Sequence, residues 1–581
     1  MHSAVFYEAV RLAKIEVYTC PALFLGDASS TTWPFVCIIR SSGQITVSSA
    51  QHDSCPTKVG NPCNAATGNK EYAEVDFDFE GQAFRRQYNS LRDFELRSGL
   101  GDNWAHSFSD RLIMRSTVSS DMIWLNSDGY LEAFSEVTAG LYRSRNNIGV
   151  TLVREPDAVA TVFGRWRVVQ PTGRMMWFNE AGRLTRVADG PRTLTLAYCT
   201  SAALTAGECT STDSLLSVVS ATGRRLDFEY TVFPIATGGV AGGTRDRALV
   251  TRIRANGSPI AEYGYDALGR MVSARSGWPS PIPGRTYAYA EATGLCRDGN
   301  GNLLASCNPA LFPYHLTGVF DESSKRVASY RYDQFGRVTF SEGADGVNRV
   351  MLSYTSAATE VQLATNAKQV FTFAAGAFRK PASTSVFASN GAVLSTVSNT
   401  YQDFRVTQQV DANGSRTNFT YAGDKEVSRT EGLTASGSIT PETRTVATDW
   451  HPQLNRPVER RVRNAAGTLV GRTAWSYNDR GQLTVQSEID PSTSATRTTT
   501  YVYCTTVAVG AGACPLEGLL MSVDGPRGDV NDVIAYDYYT TSTPEATRGD
   551  LRSITNAQGH VLLYPSYNSL GKPCGWSTPM A

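Results

Sequence analysis

The stretch Tyr263–Ala274, YGYDALGRMVSA, returns with small changes as YRYDQFGRVTFS from Tyr330 onward. Both copies place two aromatic residues two positions apart, then an aspartate, and then a glycine–arginine pair. An Asx side chain at the first position of a turn accepts a hydrogen bond from a backbone N–H two residues later. A glycine three residues after the Asx supplies the positive φ of a type I turn that ends in a bulge. The stretch therefore predicts a tight turn between two β-strands.

Five copies of this turn share an aromatic residue, an Asp or Asn directly after it, and a glycine three positions later. They are Phe178, Asn179 and Gly182; Tyr265, Asp266 and Gly269; Tyr332, Asp333 and Gly336; Tyr477, Asn478 and Gly481; and Tyr567, Asn568 and Gly571. In the first three copies the next residue is an arginine, namely Arg183, Arg270 and Arg337. We expect these arginines to pair with carboxylates or to lie over tyrosine rings.

The segments between the turns alternate between apolar and polar residues. In RVMLSYT, for example, Val350, Leu352 and Tyr354 share one face, which is typical of a half-buried strand. A spacing of about twenty residues between aromatics indicates stacked supersecondary units rather than independent domains. The predicted fold class is therefore all-β, with antiparallel β-hairpin repeats that form an extended, curved sheet.

A second kind of turn is predicted between the repeats. Asx–Gly pairs are strong signals for two-residue hairpins. They occur at Asp189–Gly190, Asp345–Gly346, Asn413–Gly414 and Asp524–Gly525.

The chain has eleven cysteines, and eight of them form close sequential pairs. The pairs are Cys55 with Cys63, Cys199 with Cys209, Cys296 with Cys307, and Cys504 with Cys514. In the second and fourth pairs, the first cysteine directly follows a strand-ending tyrosine, so a disulfide would close the base of an expanded turn. Structural thiols and a zinc site are the alternatives, although there is no C-x-x-C and the histidines are distant in sequence. Disulfides would imply an oxidising compartment outside the cytoplasm. No partner is evident for Cys20, Cys37 and Cys574.

Composition excludes some classes of function. The formal net charge is zero, so there is no charge footprint for nucleic acid or an anionic membrane. No run of eighteen apolar residues predicts a membrane-spanning helix. Near the N-terminus, IEVYTCPALFLGDASS resembles a signal-peptide core but contains Glu16. A signal peptide and a mis-assigned start both remain open.

The sequence offers few candidates for chemistry. It lacks the motifs of serine hydrolases, zinc proteases, P-loop proteins and dinucleotide-binding proteins. Asp298, Asn300 and Asn302 have calcium-ligand spacing, but Leu303 and Pro309 stand where an EF-hand needs glycine and glutamate, so a polar loop is favoured. We therefore predict no catalytic residue, no cofactor and no metal.

Two aromatic features also permit a functional interpretation. His106 lies between Trp104 and Phe108, and a hydrogen-bonded histidine in an aromatic strand is favoured over catalysis. The repeated tyrosines could bind sugar rings, but their fixed place beside the turns favours packing.

Taken together, the repeated tyrosine–aspartate turns with Gly-Arg resemble the YD repeat of bacterial Rhs-type proteins, over about residues 170 to 581. Upstream, GNPCNAATGNKEYAEVDF, FRRQYNS and GLGDNWAHSFSDRL follow one another in an order that resembles the domain of unassigned function ahead of YD repeats. The resemblance implies three parts. These are a poorly defined segment 1–50, an N-terminal β domain 51–170 and a YD-repeat array 171–581.

The resemblance also implies a long antiparallel sheet that spirals into a hollow shell. In complete members the shell encloses a C-terminal toxin domain, and a core motif with an autoproteolytic site closes it. This chain ends at YNSLGKPCGWSTPMA, directly after a turn and without that motif or a toxin domain. We therefore expect a truncated array and an incomplete shell.

Three functional hypotheses follow from these observations. The first is a non-enzymatic scaffold that forms the shell of a secreted or surface-displayed Rhs-type protein. Such a protein would be located outside the bacterial cell or on its surface. Its partner would be the enclosed toxin domain of full-length relatives. The alternative is an extracellular repeat module that binds carbohydrate or a cell surface. The third is an enzyme, which would need His106 or another histidine beside a carboxylate or a nucleophile. None of the three predicts nucleic-acid binding or a protein integral to a membrane.

Overall fold

The computed structural model describes most of the chain from Lys58 to Ser577. The described ranges are 58–60, 63–91, 98–116, 119–144, 149–160, 162, 164–190, 192–207, 209–236, 244–277, 279–305, 307–374, 379–403, 405–452 and 454–577. The predicted N-terminal segment 1–50, with Cys20 and Cys37, lies outside these ranges, and so does Cys55.

The described part of the chain contains forty strands, numbered β1 to β40 in chain order. Strands β1 to β10 are Lys58–Val59, Cys63–Asn64, Glu71–Phe79, Gln82–Asn89, Trp104–His106, Arg111–Ser116, Ser119–Leu125, Leu131–Thr138, Leu141–Ser144 and Thr151–Arg154. Strands β11 to β20 are Trp166–Val169, Met175–Phe178, Leu184–Asp189, Arg192–Tyr198, Leu215–Ser220, Arg225–Ala236, Thr244–Ala255, Ser258–Tyr265, Met271–Ser276 and Ile282–Tyr289.

The second half of the chain continues in the same way. Strands β21 to β30 are Leu316–Phe320, Arg326–Tyr332, Val338–Gly343, Val350–Tyr354, Ala358–Leu363, Lys368–Phe373, Pro381–Phe387, Val393–Gln402, Arg405–Val410 and Arg416–Ala422. Strands β31 to β40 are Lys425–Leu433, Arg444–Trp450, Pro457–Arg463, Leu469–Tyr477, Leu483–Ile489, Thr496–Tyr503, Leu520–Asp524, Ile534–Tyr538, Leu551–Thr555 and Val561–Leu563. The helices are short: α1 Asp157–Ala160, α2 Ser201–Thr205 and α3 Thr506–Gly510, with 3₁₀ turns at Pro309–Leu311 and Ala344–Gly346.

One antiparallel sheet contains almost all of these strands. Strands β6 to β40 pair with their neighbours in chain order and form a sheet of 35 strands that is not closed. Each pair is a hairpin, as in β18–β19, where Tyr263 lies opposite Ala274. The predicted all-β fold of antiparallel hairpin repeats is confirmed. The sheet begins at Arg111, so residues 111–170 contribute strands to the same sheet as the repeats.

The sheet spirals, because turns far apart in the strand order are in contact. In the first such contact, the Asn455 side chain, between β32 and β33, donates to the carbonyl of Gly149, before β10, at 2.5 Å. In the second, Arg224 between β15 and β16 forms two hydrogen bonds, of 2.6 and 2.7 Å, with Asp550 before β39. Two later segments of the sheet therefore lie against two earlier ones.

A separate three-stranded sheet, β3–β4–β5, packs against the long sheet, and we call it the N-terminal sheet. The main hydrophobic core forms between the two and includes Trp104 and Phe84 of the N-terminal sheet with Tyr330 and Tyr332 of the long sheet. From Val393 to Leu563 most side chains are half-buried or exposed. The N-terminal sheet therefore covers the earlier part of the long sheet.

The predicted Asx–Gly hairpins differ from one another in the structure. Asp345 and Gly346 both have positive φ, as the prediction requires. Asp189 pairs with Arg192, and Gly190, which has a φ of 58°, lies in the loop between them. The other two predictions were wrong, because the turn is longer than two residues. Gly414 belongs to a four-residue turn that begins at Asp411, and residues 525–533 separate β37 from β38.

Candidate functional site

The repeat turns are the feature that the sequence singles out most strongly, and Asp266 shows their geometry. Its Oδ1 accepts hydrogen bonds from the backbone N–H groups of Leu268 and Arg270, both at 3.0 Å. Gly269 has a φ of 71°, and its N–H donates to the Asp266 carbonyl at 2.9 Å. The strand register shifts between Gly264 and Tyr265, which is the bulge. The predicted turn is confirmed at this copy.

The other four copies have the same geometry. The Asx Oδ1 accepts from the backbone N–H four residues later in each copy, at 3.0 Å. The glycines all have positive φ, namely Gly182, Gly336, Gly481 and Gly571. Since residues with a Cβ rarely adopt this conformation, the glycine is a requirement of the turn.

The repeat arginines find both of the predicted partners. Arg270 and Arg337 bind the carboxylates of their own turns, Asp266 and Asp333, at 2.7 Å. Their guanidinium groups also lie over tyrosine rings of later strands: Arg337 is 4.5 Å from the centre of the Tyr354 ring, and Arg270 is 5.3 Å from the ring centre of Tyr289. Arg183 has an asparagine in its turn and therefore binds Asp213 instead, at 2.9 Å.

The tyrosine hydroxyls make a contact that the sequence analysis missed. Each donates to a backbone carbonyl 15 to 20 residues upstream, on an earlier strand of the long sheet. The bonds are Tyr265 to Val250 (2.7 Å), Tyr332 to Leu316 (2.7 Å), Tyr477 to Pro457 (2.9 Å) and Tyr567 to Leu551 (2.6 Å). In the first three bonds the acceptor lies on the strand that pairs directly with the strand of the tyrosine, so the hydroxyl adds a side-chain bond between two neighbouring strands. The sequence feature that could have indicated these hydroxyl bonds is the preference for tyrosine over phenylalanine in four of the five copies.

These tyrosines pack as structural residues. Tyr332 is fully buried, and Tyr265 and Tyr477 are half-buried with their hydroxyls bonded to the backbone. A ring that is packed across strands offers no free face to a sugar. The predicted packing role therefore accounts for them better than the sugar platform does.

The tyrosines two residues earlier face the N-terminal sheet. Tyr263 donates to Asp76 at 2.6 Å. Arg86, only 2% exposed, binds both oxygens of Asp76 at 2.7 and 2.8 Å and donates to the Tyr287 hydroxyl at 2.7 Å. Glu74 accepts a further bond from Arg86 at 2.9 Å. Burial by itself would lower the pKa of Arg86, but Asp76 and Tyr287 raise it well above its usual value. Arg86 is therefore a permanent cation between the two sheets.

Other polar contacts also join the two sheets. Trp104 Nε1 donates to the Tyr289 hydroxyl at 2.8 Å, and the Tyr88 hydroxyl accepts from Leu316 N at 2.8 Å. The ammonium group of Lys70 lies 4.2 Å from the centre of the Tyr330 ring. Burial lowers the pKa of Lys70 to about 8. The polar tips of Trp104, Tyr88 and Tyr289 are thus hydrogen-bonded at this contact surface, whereas the Tyr330 hydroxyl is buried without a hydrogen bond to any described residue.

Three predicted disulfides are present. Cys199 is bonded to Cys209, Cys296 to Cys307, and Cys504 to Cys514. The first and third enclose equivalent short helices, α2 and α3, whose N-caps are the threonines that follow the first cysteine. The predicted expanded turn with a closed base is confirmed at both places.

The fourth predicted pair, Cys55 with Cys63, differs from the structure. Cys63 is a free thiol, fully buried in β2, and Cys55 lies outside the described residues. Burial raises the pKa of the Cys63 thiol, and Ser341 forms a hydrogen bond with it. Cys574 is also free and is exposed.

His106 and Asp298, the two residues that the sequence offered for catalysis or calcium binding, form hydrogen bonds with nearby residues of the chain. His106 stacks between Phe84 and Phe228, its Nε2 bonds the Ser98 carbonyl at 2.9 Å, and its Nδ1 accepts from Phe108 N at 3.2 Å. These partners require a neutral ring protonated at Nε2.

In the loop predicted as polar, the Asp298 carboxylate is occupied by Asn302, whose backbone N–H and side-chain amide both donate to it at 2.8 Å. Within the described ranges, no group of three His, Cys, Asp or Glu side chains could hold a metal ion. No described helix has the length and apolarity needed to cross a membrane.

The comparison with family models finds one match. Residues 60–134 match the family described as a domain of unknown function, DUF6531. The match lies within the predicted N-terminal β domain and covers β2 to β5 and the start of the long sheet. It is consistent with an Rhs-like protein. No curated protein matches the chain.

The comparison with solved structures finds matches of low similarity. A crystal structure of TcdB2-TccC3 without its hypervariable C-terminal region is 11% identical, covering 83% of this chain and 27% of that one, with a TM-score of 0.27. TcdB2-TccC3-Cdc42 is 12% identical, covering 86% of this chain and 27% of that one, with a TM-score of 0.26. A porin-like protein from Bacteroides uniformis is 12% identical, covering 39% of this chain and 92% of that one, with a TM-score of 0.18. The chain thus spans about a quarter of the TcdB2-TccC3 chains, and at these TM-scores the likeness carries no argument.

Proposed function

We propose that this chain is a non-enzymatic scaffold, the shell-forming part of an Rhs-type protein. The observation that carries the proposal is the single spiralling sheet of 35 strands, in which each repeat is fixed by its turn and four of the five also by a tyrosine hydroxyl. The DUF6531 match ahead of the repeats supports the same assignment. The mechanism is mechanical, because the copies differ in sequence and keep only the residues that hold the sheet together.

The N-terminal sheet has a defined part in this mechanism. It covers the earlier part of the long sheet through Arg86 and the aromatic contacts. The tip of its β3–β4 hairpin reaches the last repeat, where Glu80 N donates to the Leu570 carbonyl at 2.7 Å. One small domain thus contacts both early and late repeats. We infer that it fixes the diameter of the spiral.

The place of action follows from the cysteines. The three disulfides suggest an extracellular protein, because such bonds persist in oxidising compartments. We therefore propose secretion or surface display, with the toxin domain of a longer Rhs-type protein as the partner that the shell would enclose.

Electron microscopy of the purified chain tests the scaffold. We expect particles with a thin curved wall and an open interior, because long stretches of the sheet from Val393 to Leu563 are only half-buried. Particles with a filled interior at the expected mass would contradict the proposal. Fusion of a small folded reporter after Ala581 gives a second test, since protection of the reporter from added protease requires a shell that surrounds it.

A further inference from the structure

A lysine, an aspartate and an asparagine meet at one edge of the long sheet, where a later segment of the spiral lies against an earlier one. Asp424 lies in the β30–β31 turn, Lys425 is the first residue of β31, and Asn455 lies in the β32–β33 turn. Because β31 and β32 are antiparallel neighbours, the two turns lie side by side at the same end of the strands. The five repeat turns and the Arg86 contacts use none of these three residues.

The amine of Lys425 contacts the carboxamide of Asn455. Lys425 Nζ donates a hydrogen bond to Asn455 Oδ1, so the carbonyl carbon Cγ is one bond beyond the contact. The other end of the carboxamide is also held, because its Nδ2 donates to the Gly149 carbonyl at 2.5 Å. The amine and the amide carbon are therefore held in proximity, which strongly favours a reaction between two groups of one chain.

A carboxylate lies within reach of the same amine. Asp424 Oδ2 is 3.6 Å from Lys425 Nζ, and the side chain of Asp424 is only 6% exposed. Its Oδ1 lies 3.7 Å from a guanidinium nitrogen of Arg143, on strand β9. A carboxylate in such a place can carry protons from an attacking group to a leaving group.

The surroundings of Lys425 favour the neutral form of its amine. The side chain is 19% exposed, and Nζ lies 5.3 Å from the centre of the Trp450 ring. Burial lowers the pKa of Lys425, and the charge of Arg143 acts in the same direction, whereas Asp424 opposes the shift. A lower pKa leaves more of the amine unprotonated, which is the form that acts as a nucleophile.

Comparison with Lys368 shows what is particular to Lys425. Lys368 also lies beside an aromatic ring, 5.5 Å from the centre of Phe387, and beside a carboxylate, Glu360, at 3.2 Å. Its hydrogen bond goes to that carboxylate rather than to a carboxamide. Lys425 therefore brings together an amine, a carboxylate and an amide, whereas Lys368 brings together the first two.

We propose that Lys425 and Asn455 form an intramolecular isopeptide bond, with Asp424 as the catalytic carboxylate. Asp424 takes a proton from the Lys425 ammonium group, and the neutral amine attacks Cγ of Asn455. The Nζ–Cγ bond forms, a second proton passes from Nζ to Nδ2, and the Cγ–Nδ2 bond breaks. Ammonia leaves and takes up the proton that Asp424 holds, which restores the carboxylate. No atom is oxidised or reduced, so the reaction needs no further reactant.

The bond would fasten two neighbouring turns in the part of the long sheet that the N-terminal sheet does not cover. Both turns lie against the earlier segment that contains Arg143 and Gly149. The cross-link would hold the edge of the sheet in register there. It does not depend on what the shell encloses.

Peptide mapping of the purified full chain, after reduction of its disulfides, tests the bond. Trypsin cleaves after lysine and arginine unless proline follows, so segments 417–429 and 445–460 contain the two residues. We expect one branched species of both segments, uncleaved after Lys425 and lighter than their sum by one ammonia, about 17 Da. Recovery of the two segments separately from the folded wild type, with cleavage after Lys425, would overturn the proposal.

Three variants test the roles of the residues. Lys425→Arg keeps the positive charge but should yield no branched species. Asp424→Asn keeps the shape of the side chain and should lower the cross-linked fraction about tenfold or more at a fixed time after synthesis. Lys368→Arg is the matched control and should cross-link as the wild type does. A branched species in Lys425→Arg, or equal cross-linking of Asp424→Asn and wild type, would also overturn the proposal. The wild-type map decides whether the bond exists even if a variant does not fold.

Discussion

Replacement of Arg86 by alanine should loosen the contact between the N-terminal sheet and the long sheet. Arg86 is buried and forms four bonds of 2.7 to 2.9 Å to Asp76, Glu74 and Tyr287. Its removal leaves Asp76, whose side chain is 1% exposed, without a counter-charge, whereas Glu74 keeps Arg285 at 2.9 Å. Loss of one partner from a buried ion pair costs about 3–5 kcal/mol. The cost arises from the charge left behind more than from the bond itself.

Amide hydrogen exchange is the suitable assay, because an array of repeats need not unfold in one step. At 3–5 kcal/mol, amides of β3, β4, β18 and β20 should exchange roughly two to nearly four orders of magnitude faster. The double variant Arg86→Ala/Asp76→Asn should recover part of this protection, since the second change removes the unpaired charge.

Arg85 provides the matched control, since it neighbours Arg86 on β4 and points the other way. Its side chain is 52% exposed and lies 3.9 Å from Asp128. Exposed pairs contribute about 0–1 kcal/mol, so Arg85→Ala should change exchange less than tenfold. Equal effects of Arg85→Ala and Arg86→Ala would refute the reasoning.

Three further predictions follow from the repeat turns, the disulfides and the buried carboxyl group. Tyr332→Phe removes the bond to the Leu316 carbonyl and should destabilise β22 locally by about 1–3 kcal/mol, measured by hydrogen exchange; unchanged exchange would contradict it. Non-reducing peptide mapping should recover Cys199 linked to Cys209. Replacement of both cysteines by serine should lower the free energy of unfolding by about 3 kcal/mol. Free thiols at both positions in protein from its native compartment would count against the disulfide. Burial raises the pKa of Asp110 to about 6 from 3.8, so stability falls as pH rises from about 4 to about 6. Asp110→Asn should therefore stabilise the protein by up to about 3 kcal/mol at pH 7 but not at pH 4. If the variant and the wild type unfold at the same midpoint at pH 7 as well as at pH 4, the prediction is wrong.

The parts of the fold that depend on local sequence could be predicted. Asp266 and Gly269 act within four residues of each other, so their spacing alone indicates the turn. The cysteine pairs enclose short loops for the same reason. The Asp524–Gly525 prediction failed because the pair is followed by a long loop rather than a strand, which no local signal marks.

Contacts between distant segments could not be predicted. The acceptor of the Tyr332 hydroxyl is a backbone carbonyl, which has no side-chain signature. Arg86 and Tyr287 are 201 residues apart, and nothing in either stretch indicates the other. The polar cavity beside β4 combines Asp110, Asn126 and Arg174 from separate turns. Such a site appears only once the spiral brings these turns together.

The direction of the tyrosine bonds bears on how the molecule is made. In the four repeats with tyrosine, the hydroxyl reaches a carbonyl that precedes it in the chain, as Tyr567 reaches Leu551. A hairpin that emerges from the ribosome therefore finds its acceptor already synthesised and in place. The nascent protein can wind up from its amino end, one hairpin at a time, without waiting for later sequence. Translation order and assembly order would then coincide.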